Sequence, residues 1–172
     1  MNLQTERLVL KEINESHTED ILKIRSNAAI NRFLIRNPPT TNYEALQFIL
    51  TIRERAKKGQ TMYFGISYKD QPGLIGTLCF LNFSEDRKTA EIGYELLPEY
   101  HRKGIMSEVL DAVLPYGFDY LQLKKILAIT HSLNEASKAL LLKHHFVLEK
   151  NNKDEDFPEH QVFSRKRIQG NF

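Results

Sequence analysis

Apolar and polar residues alternate through positions 90–97: Ala90, Ile92, Tyr94 and Leu96 fall on one face of an extended chain, Glu91, Gly93, Glu95 and Leu97 on the other. The alternation predicts a strand, which Pro98 ends by removing a ladder donor. Beyond a short basic turn, Met106, Val109, Leu110 and Val113 recur at helical spacing, so a helix begins near Gly104. Strand, turn and helix follow one another directly. Such a turn gathers the unpaired N–H groups and the positive dipole end of the helix, and Arg102 and Lys103 add two charges. An anion such as a pyrophosphate would bind there, with Gly104 letting the backbone come close to it.

The same period analysis orders the rest of the chain. Residues 5–13 predict a first strand. Ser16 and Glu19 have the spacing of a capping box, so a helix starts there and runs through Ile21, Leu22, Ile24 and Arg25. Asn37-Pro38-Pro39 interrupts regular structure, and Thr41 with Glu44 makes a second capping box. The helix it opens carries Leu46, Ile49, Leu50 and Ile52 on one stripe and closes at Lys57-Lys58-Gly59. Residues 62–68 and 74–83 predict a hairpin joined by Asp70, Pro72 and Gly73, and the strand ending at Pro98 extends it to a meander of three. The helix from Gly104 runs to about Leu121, with Pro115 either kinking it or dividing it. Residues 125–130 form an apolar, bounded strand that pairs in parallel beside the central one through a right-handed crossover. A helix then begins at Ser132-Leu133-Asn134-Glu135, with Leu140 and Leu141 inward. Phe146, Val147 and Leu148 open a further strand, 151–159 is a charged loop, and 161–168 supplies the last strand.

With 172 residues and 41% hydrophobic content, the chain suits one domain with one substantial core. Its 24 basic and 22 acidic side chains give a formal charge of +2, which makes no case for nucleic acid or an anionic membrane as partner. Any anion site must therefore be local. The single cysteine, Cys79, lies in an apolar run and is a small core residue rather than a nucleophile. Neither a signal peptide nor a span of about 18 apolar residues is present, which points to the cytoplasm. None of the six histidines stands at ligand spacing to another, so no metal is expected; His144-His145 suits a helix end.

Residues 101–106, His-Arg-Lys-Gly-Ile-Met, occupy the six positions of the pattern Gln/Arg-x-x-Gly-x-Gly/Ala and keep its central glycine, Gly104. Together with the preceding Ala-Glu-Ile-Gly-Tyr-x-Leu-x-Pro-x-Tyr strand and the opening Thr5-Glu6-Arg7-Leu8, they resemble the GNAT acetyltransferases, in the RimJ/RimL-like branch that acetylates ribosomal-protein amino termini. The resemblance covers nearly the whole chain. It implies one N-acetyltransferase domain over residues 1–172 with the α/β GNAT fold. That fold is a mixed sheet of six or seven strands, mostly antiparallel, with one parallel pair splayed at the acetyl-CoA site and helices on both faces.

The resemblance further implies an acetyl-CoA-dependent transfer to a primary amine, such as a ribosomal protein amino terminus, by direct attack in a ternary complex. Backbone groups of Arg102, Lys103, Gly104, Ile105, Met106 and Ser107 would hold the coenzyme pyrophosphate. Asn134 and Ser137 match the family's Asn-x-x-Ser, in which Asn contacts the pantetheine arm and Ser protonates the departing thiolate. A tyrosine that many relatives carry seven residues after that Asn is Leu141 here, so the hydroxyl of Ser137 is the candidate acid. Glu91 is the candidate base, acting directly or through water, with a solvated strand carboxylate as the plain alternative. For Ser137 the plain alternative is a helix-start residue bonding the backbone. If the central strands splay, the N–H of Leu96 or Leu97 is freed for the thioester carbonyl or the pantetheine amides. His101, Met106 and His145 depart from the family pattern and keep open a catalytically silent domain that binds acyl-CoA as a sensor or assembly factor. The acceptor, among protein amino termini, polyamines, amino acids and antibiotics, and the choice of monomer or homodimer stay open.

Overall fold

The computed structural model describes residues 2–153 and 157–168. The chain opens with β1 (Asn2–Gln4) antiparallel to β2 (Leu8–Glu12). One strand was expected, over 5–13, where β2 stands; β1 before it was not. Two form because the Leu8 carbonyl accepts from Thr5 N–H at 3.0 Å and its N–H donates to Thr5 Oγ1 at 2.9 Å, reversing the chain between them. The first capping box also differs from expectation. Asn14, not Ser16, caps: its side chain accepts from Ser16 N–H at 2.9 Å, and His17 Nδ1 accepts from Asn14 N–H at 3.0 Å. Asn is as good a cap as Ser, and the imidazole takes the place of the usual Glu, so one short turn precedes α1 (Thr18–Ser26). After the single turn α2 (Ala28–Asn31), α3 (Asn42–Lys57) starts at the Thr41–Glu44 box, with Glu44 N–H and Thr41 N–H each bonded to the other side chain at 3.2 Å.

Strands β3 (Met62–Tyr68), β4 (Gly76–Leu81) and β5 (Thr89–Leu96) form the antiparallel meander. Helix α4 (Ile105–Pro115) crosses back to β6 (Lys125–His131), which pairs in parallel with β5. Pro115 neither breaks nor divides this helix. It leads into a π turn, Tyr116–Tyr120, in which Leu121 N–H bonds the Tyr116 carbonyl at 3.1 Å. Helix α5 (Glu135–Lys143) and strands β7 (Val147–Lys153) and β8 (His160–Lys166) follow. The loop expected over 151–159 is therefore partly strand, and 154–156 lie outside the described residues.

The sheet has eight strands in the order β1-β2-β3-β4-β5-β6-β8-β7, rather than six or seven. Its faces are covered separately. Ala90 and Ile92 of β5 pack with Met106, Val109, Leu110 and Val113 of α4 in one core, whereas Leu97 packs with Ile21, Ile24, Ile49 and Ile52 of α1 and α3 in the other. The period-2 alternation of β5 thus sends its two residue sets into two different cores.

Candidate active site

Strands β5 and β6 pair at only three positions, Thr89 with Lys125, Ala90 with Ile126 and Glu91 with Leu127. Beyond Glu91 they diverge, although β5 runs to Leu96 and β6 to His131. A cavity of about 360 Å³ occupies this gap, lined by Ile92, Gly93, Tyr94 and Glu95 on one side and by Ala128, Ile129, Thr130 and His131 on the other. Helices α1 and α3 and the segment after α2 wall it with Arg25, Phe48, Arg55, Phe33 and Leu34. Glu91, Asn134 and Ser137, far apart in sequence, all line it.

Each candidate group has defined partners. Glu91 accepts a hydrogen bond from the Asn82 side-chain amide at 2.9 Å. Four residues on and on the same strand face, Glu95 is committed elsewhere: Arg36 grips both of its oxygens, with Nη2 at 3.2 Å from Oε2, and Arg25 lies 3.6 Å away. Arg25 in turn stacks on Phe48, 3.8 Å from the ring centre. Asn134 caps α5, its Oδ1 accepting from Ser137 N–H at 3.2 Å, which leaves the Asn134 amide hydrogens for another acceptor. The Ser137 hydroxyl does not bond the helix backbone; it meets the Tyr94 hydroxyl at 2.9 Å. Burial pushes the Tyr94 hydroxyl up to about 12, partly opposed by that bond, so it keeps its proton at neutral pH. Leu141 is fully buried and offers no donor.

Between Leu96 and Leu97 the backbone decides. The Leu97 N–H donates to the Ile75 carbonyl at 2.9 Å and so faces β4, which excludes it as a free donor. Strand alternation turns the Leu96 groups to the opposite side, toward the gap, where the Leu96 carbonyl meets His101 Nε2 at 2.8 Å. Cys79, remote from these residues in sequence, nevertheless lines the cavity, because β4 places it opposite Gly93. Burial drives its thiol up to about 12, so no thiolate forms near neutrality.

The basic turn ends where α4 begins. Gly104 is the N-cap residue with φ +73°, and Arg102 is also left-handed at φ +59°. The N–H groups of Ile105, Met106 and Ser107 belong to the first helical turn and have no intrahelical acceptor. His101, Arg102, Lys103 and Gly104 are exposed. A brace missed by sequence reasoning holds this turn: Arg7 Nε donates to Glu108 Oε2 at 2.7 Å and its Nη2 to the Lys103 carbonyl at 3.1 Å, while Thr5 Oγ1 and Arg7 N–H both donate to Glu108 Oε1. Burial pushes the Glu108 carboxyl up, but the bonds from Thr5 and Arg7 outweigh it and leave it below the ordinary carboxylate value. The opening Thr-Glu-Arg-Leu is thus more than an exposed face. Behind the turn, Ser107 Oγ meets His144 Nε2 at 2.9 Å, and Asp111 lies 3.5 Å from His144 Nδ1. The order of groups is that of a serine triad, yet Ser107 does not line the cavity; the bond joins the first turn of α4 to the end of α5.

A central sheet parted at one parallel pair, with a helix amino terminus beside the parting, sets an anion-binding turn next to an open cavity, the arrangement of a group-transfer enzyme with an anionic cosubstrate. Residues 7–147 match the family described as Acetyltransferase (GNAT) domain. The chain belongs to that family and is an N-acetyltransferase. The uncharacterized N-acetyltransferase YoaA of Bacillus subtilis (strain 168) is 36% identical over 147 residues, 86% of this chain and 83% of that protein. A ribosomal-protein-serine acetyltransferase of Escherichia coli (strain K12) is 30% identical over 93 residues, 54% of this chain and 51% of its own length. Among solved structures, RimL, a ribosomal L7/L12 alpha-N-protein acetyltransferase in complex with coenzyme A, shares the fold with a TM-score of 0.85 at 21% identity, over 96% of this chain and 98% of that one. No helix among the described residues is long and apolar enough to cross a membrane.

Proposed function

We propose that residues 1–172 act as one domain that moves the acetyl group of acetyl-CoA to a primary amine by direct attack, with a protein amino terminus as acceptor. The observation that carries this reading is the gap between β5 and β6, which brings Glu91, Asn134 and Ser137 to one cavity. The pyrophosphate lies on the N–H groups of Arg102, Lys103, Gly104, Ile105, Met106 and Ser107, and the pantetheine arm enters the gap past Asn134. The Leu96 N–H bonds the thioester carbonyl or the nearest pantetheine amide. Glu91 takes the proton of the ammonium, directly or through water; the amine attacks; and Ser137 gives its hydroxyl proton to the sulfur as the C–S bond breaks. A protonated Cys79 thiol favours this ternary complex over an acetyl-cysteine intermediate.

The amino-terminal acceptor is supported by the names of the E. coli relative and of RimL, both of which refer to ribosomal proteins. A thiol-release assay with acetyl-CoA tests the proposal on peptides with free and blocked amino termini, a polyamine, amino acids and an aminoglycoside. Turnover is expected with free-amine peptides and not with blocked ones. Turnover confined to a small-molecule amine overturns the acceptor class, and coenzyme binding with no turnover on any amine returns the silent sensor.

A further inference from the structure

We propose that Tyr94 is a positioning residue for the acid step: its hydroxyl donates to Ser137 Oγ and so turns the serine hydrogen into the cavity, toward the sulfur of the thioester. The inference rests on the assignment of Ser137 as acid. Two hydroxyls 2.9 Å apart share one hydrogen, and which oxygen donates decides whether Ser137 can serve. If Ser137 donated to Tyr94, its hydrogen would be consumed and no proton would face the sulfur.

Three observations make Tyr94 the donor. A phenol is the more acidic hydroxyl and the stronger donor, and the raised value means that it is never a phenolate at a working pH. The Tyr94 ring is partly buried against the α4 core, so its hydroxyl is held in direction, and Ser137 Oγ is the acceptor it meets. Ser137 also lines the cavity, so its own hydrogen has an open side to turn to. The bond runs from β5 to α5 across the parted strands, between residues 43 apart in sequence. It thereby ties the acid to the strand that carries Glu91 and the Leu96 N–H.

In the step itself the C–S electron pair goes to sulfur, the Ser137 O–H breaks and S–H forms. The charge left on Ser137 Oγ is held by the Tyr94 hydroxyl until water returns a proton. The amine nitrogen bonds the thioester carbon as the C–S bond breaks. Glu91 passes to water the proton taken from the ammonium, and the second proton that nitrogen sheds as it becomes the amide returns through water to Ser137 Oγ. Thioester and ammonium thus give amide, thiol and one released proton with no other reactant.

Tyr94→Phe, Ser137→Ala and the double variant decide the matter, with kcat, the KM for acetyl-CoA and the melting temperature measured on each. Activity is normalised to coenzyme A-binding sites, so that a misfolded fraction does not count. Ser137→Ala is expected to lower kcat about 10²-fold and Tyr94→Phe about tenfold, each with an unchanged KM for acetyl-CoA. The decisive arm is the double variant, expected within about twofold of Ser137→Ala because Tyr94 acts only through Ser137. Losses that multiply in the double variant, or a Tyr94→Phe kcat equal to wild type beside an impaired Ser137→Ala, overturn the inference and leave the acid assignment standing. Full kcat in Ser137→Ala overturns the acid assignment and the inference with it.

Discussion

Glu91 and Glu95 point to the same side of β5 four residues apart, and their surroundings divide them into two kinds of carboxylate. Glu95 is clamped by Arg25 and Arg36 and serves to fix the segment after α2 against the sheet. The two guanidinium groups occupy the Glu95 oxygens, which are therefore not open to a substrate amine. Glu91, bonded to the Asn82 amide, is the base we propose, and Glu91→Gln is expected to lower kcat about 10²–10⁴-fold with coenzyme affinity unchanged. A loss below about threefold would assign the proton to water alone. At Gly104 the left-handed φ of +73° is strained for any side chain, although the nearest atom to an added Cβ is Arg7 Nη2 at an ordinary 3.8 Å. Room therefore exists beside the glycine, and what valine would disturb is the backbone and the anion approaching it. Gly104→Val is expected to weaken coenzyme A binding more than about tenfold, against about fivefold or less for neutralising the exposed Lys103. Equal affinity for Gly104→Val and wild type, measured by calorimetry, would remove this turn as the pyrophosphate site. Of these residues, Glu91, Gly104, Asn134 and Ser137 were legible as motif positions. The clamp on Glu95 and the hydroxyl pair of Tyr94 were not, since their partners lie 59 and 43 positions away. Cys79 shows the same limit in reverse, being distant in the chain and adjacent across the sheet.

Elements followed their local signals where the signal used its usual residue types. The Thr41–Glu44 box is one such case, and the period of α4 is another. The Asn14–His17 box escaped because histidine stood in for the usual carboxylate, and the response to Pro115 escaped because a π turn costs little only where packing supports it. That support is visible: a Cβ at Gly117, inside the π turn, would sit 3.0 Å from Ile126 Cδ1 and 3.1 Å from Phe80 Cζ, so the wide turn lies close against the sheet and any side chain there would push on those neighbours. The junction of α4 with α5 carries its own pH dependence. Burial pushes His144 below the ordinary imidazole range; Asp111 opposes this, while Lys143, Arg165 and His145 add to it. With the folded value depressed, the neutral imidazole favours the fold, so this contribution is present above about pH 6.5 and is lost as pH falls. His144→Gln retains a donor for Ser107 Oγ and does not titrate. Between about pH 7 and pH 5 the melting temperature of wild type is expected to fall more steeply than that of the variant, and parallel curves would acquit His144.

At the scale of the whole molecule, the strand that parts from its neighbour also separates two cores, so the gap is the seam where the α1–α3 layer and the α4 layer meet across the sheet. The parallel pair was legible because a crossover helix leaves a parallel neighbour little choice. The eighth strand was not, since three residues ahead of a turn carry almost no periodic signal. The brace on the coenzyme turn belongs to the same scale, and it has a consequence in time as well as in space. Thr5 and Glu108, which it joins, are 103 positions apart, so the segment made first holds the turn made much later. Closing a loop of that length is entropically slow, and contacts of such separation form late. During refolding, recovery of coenzyme A binding should therefore lag behind recovery of the helical signal. Simultaneous recovery in a stopped-flow experiment would mean that the turn reaches its working shape before Thr5 and Glu108 have met.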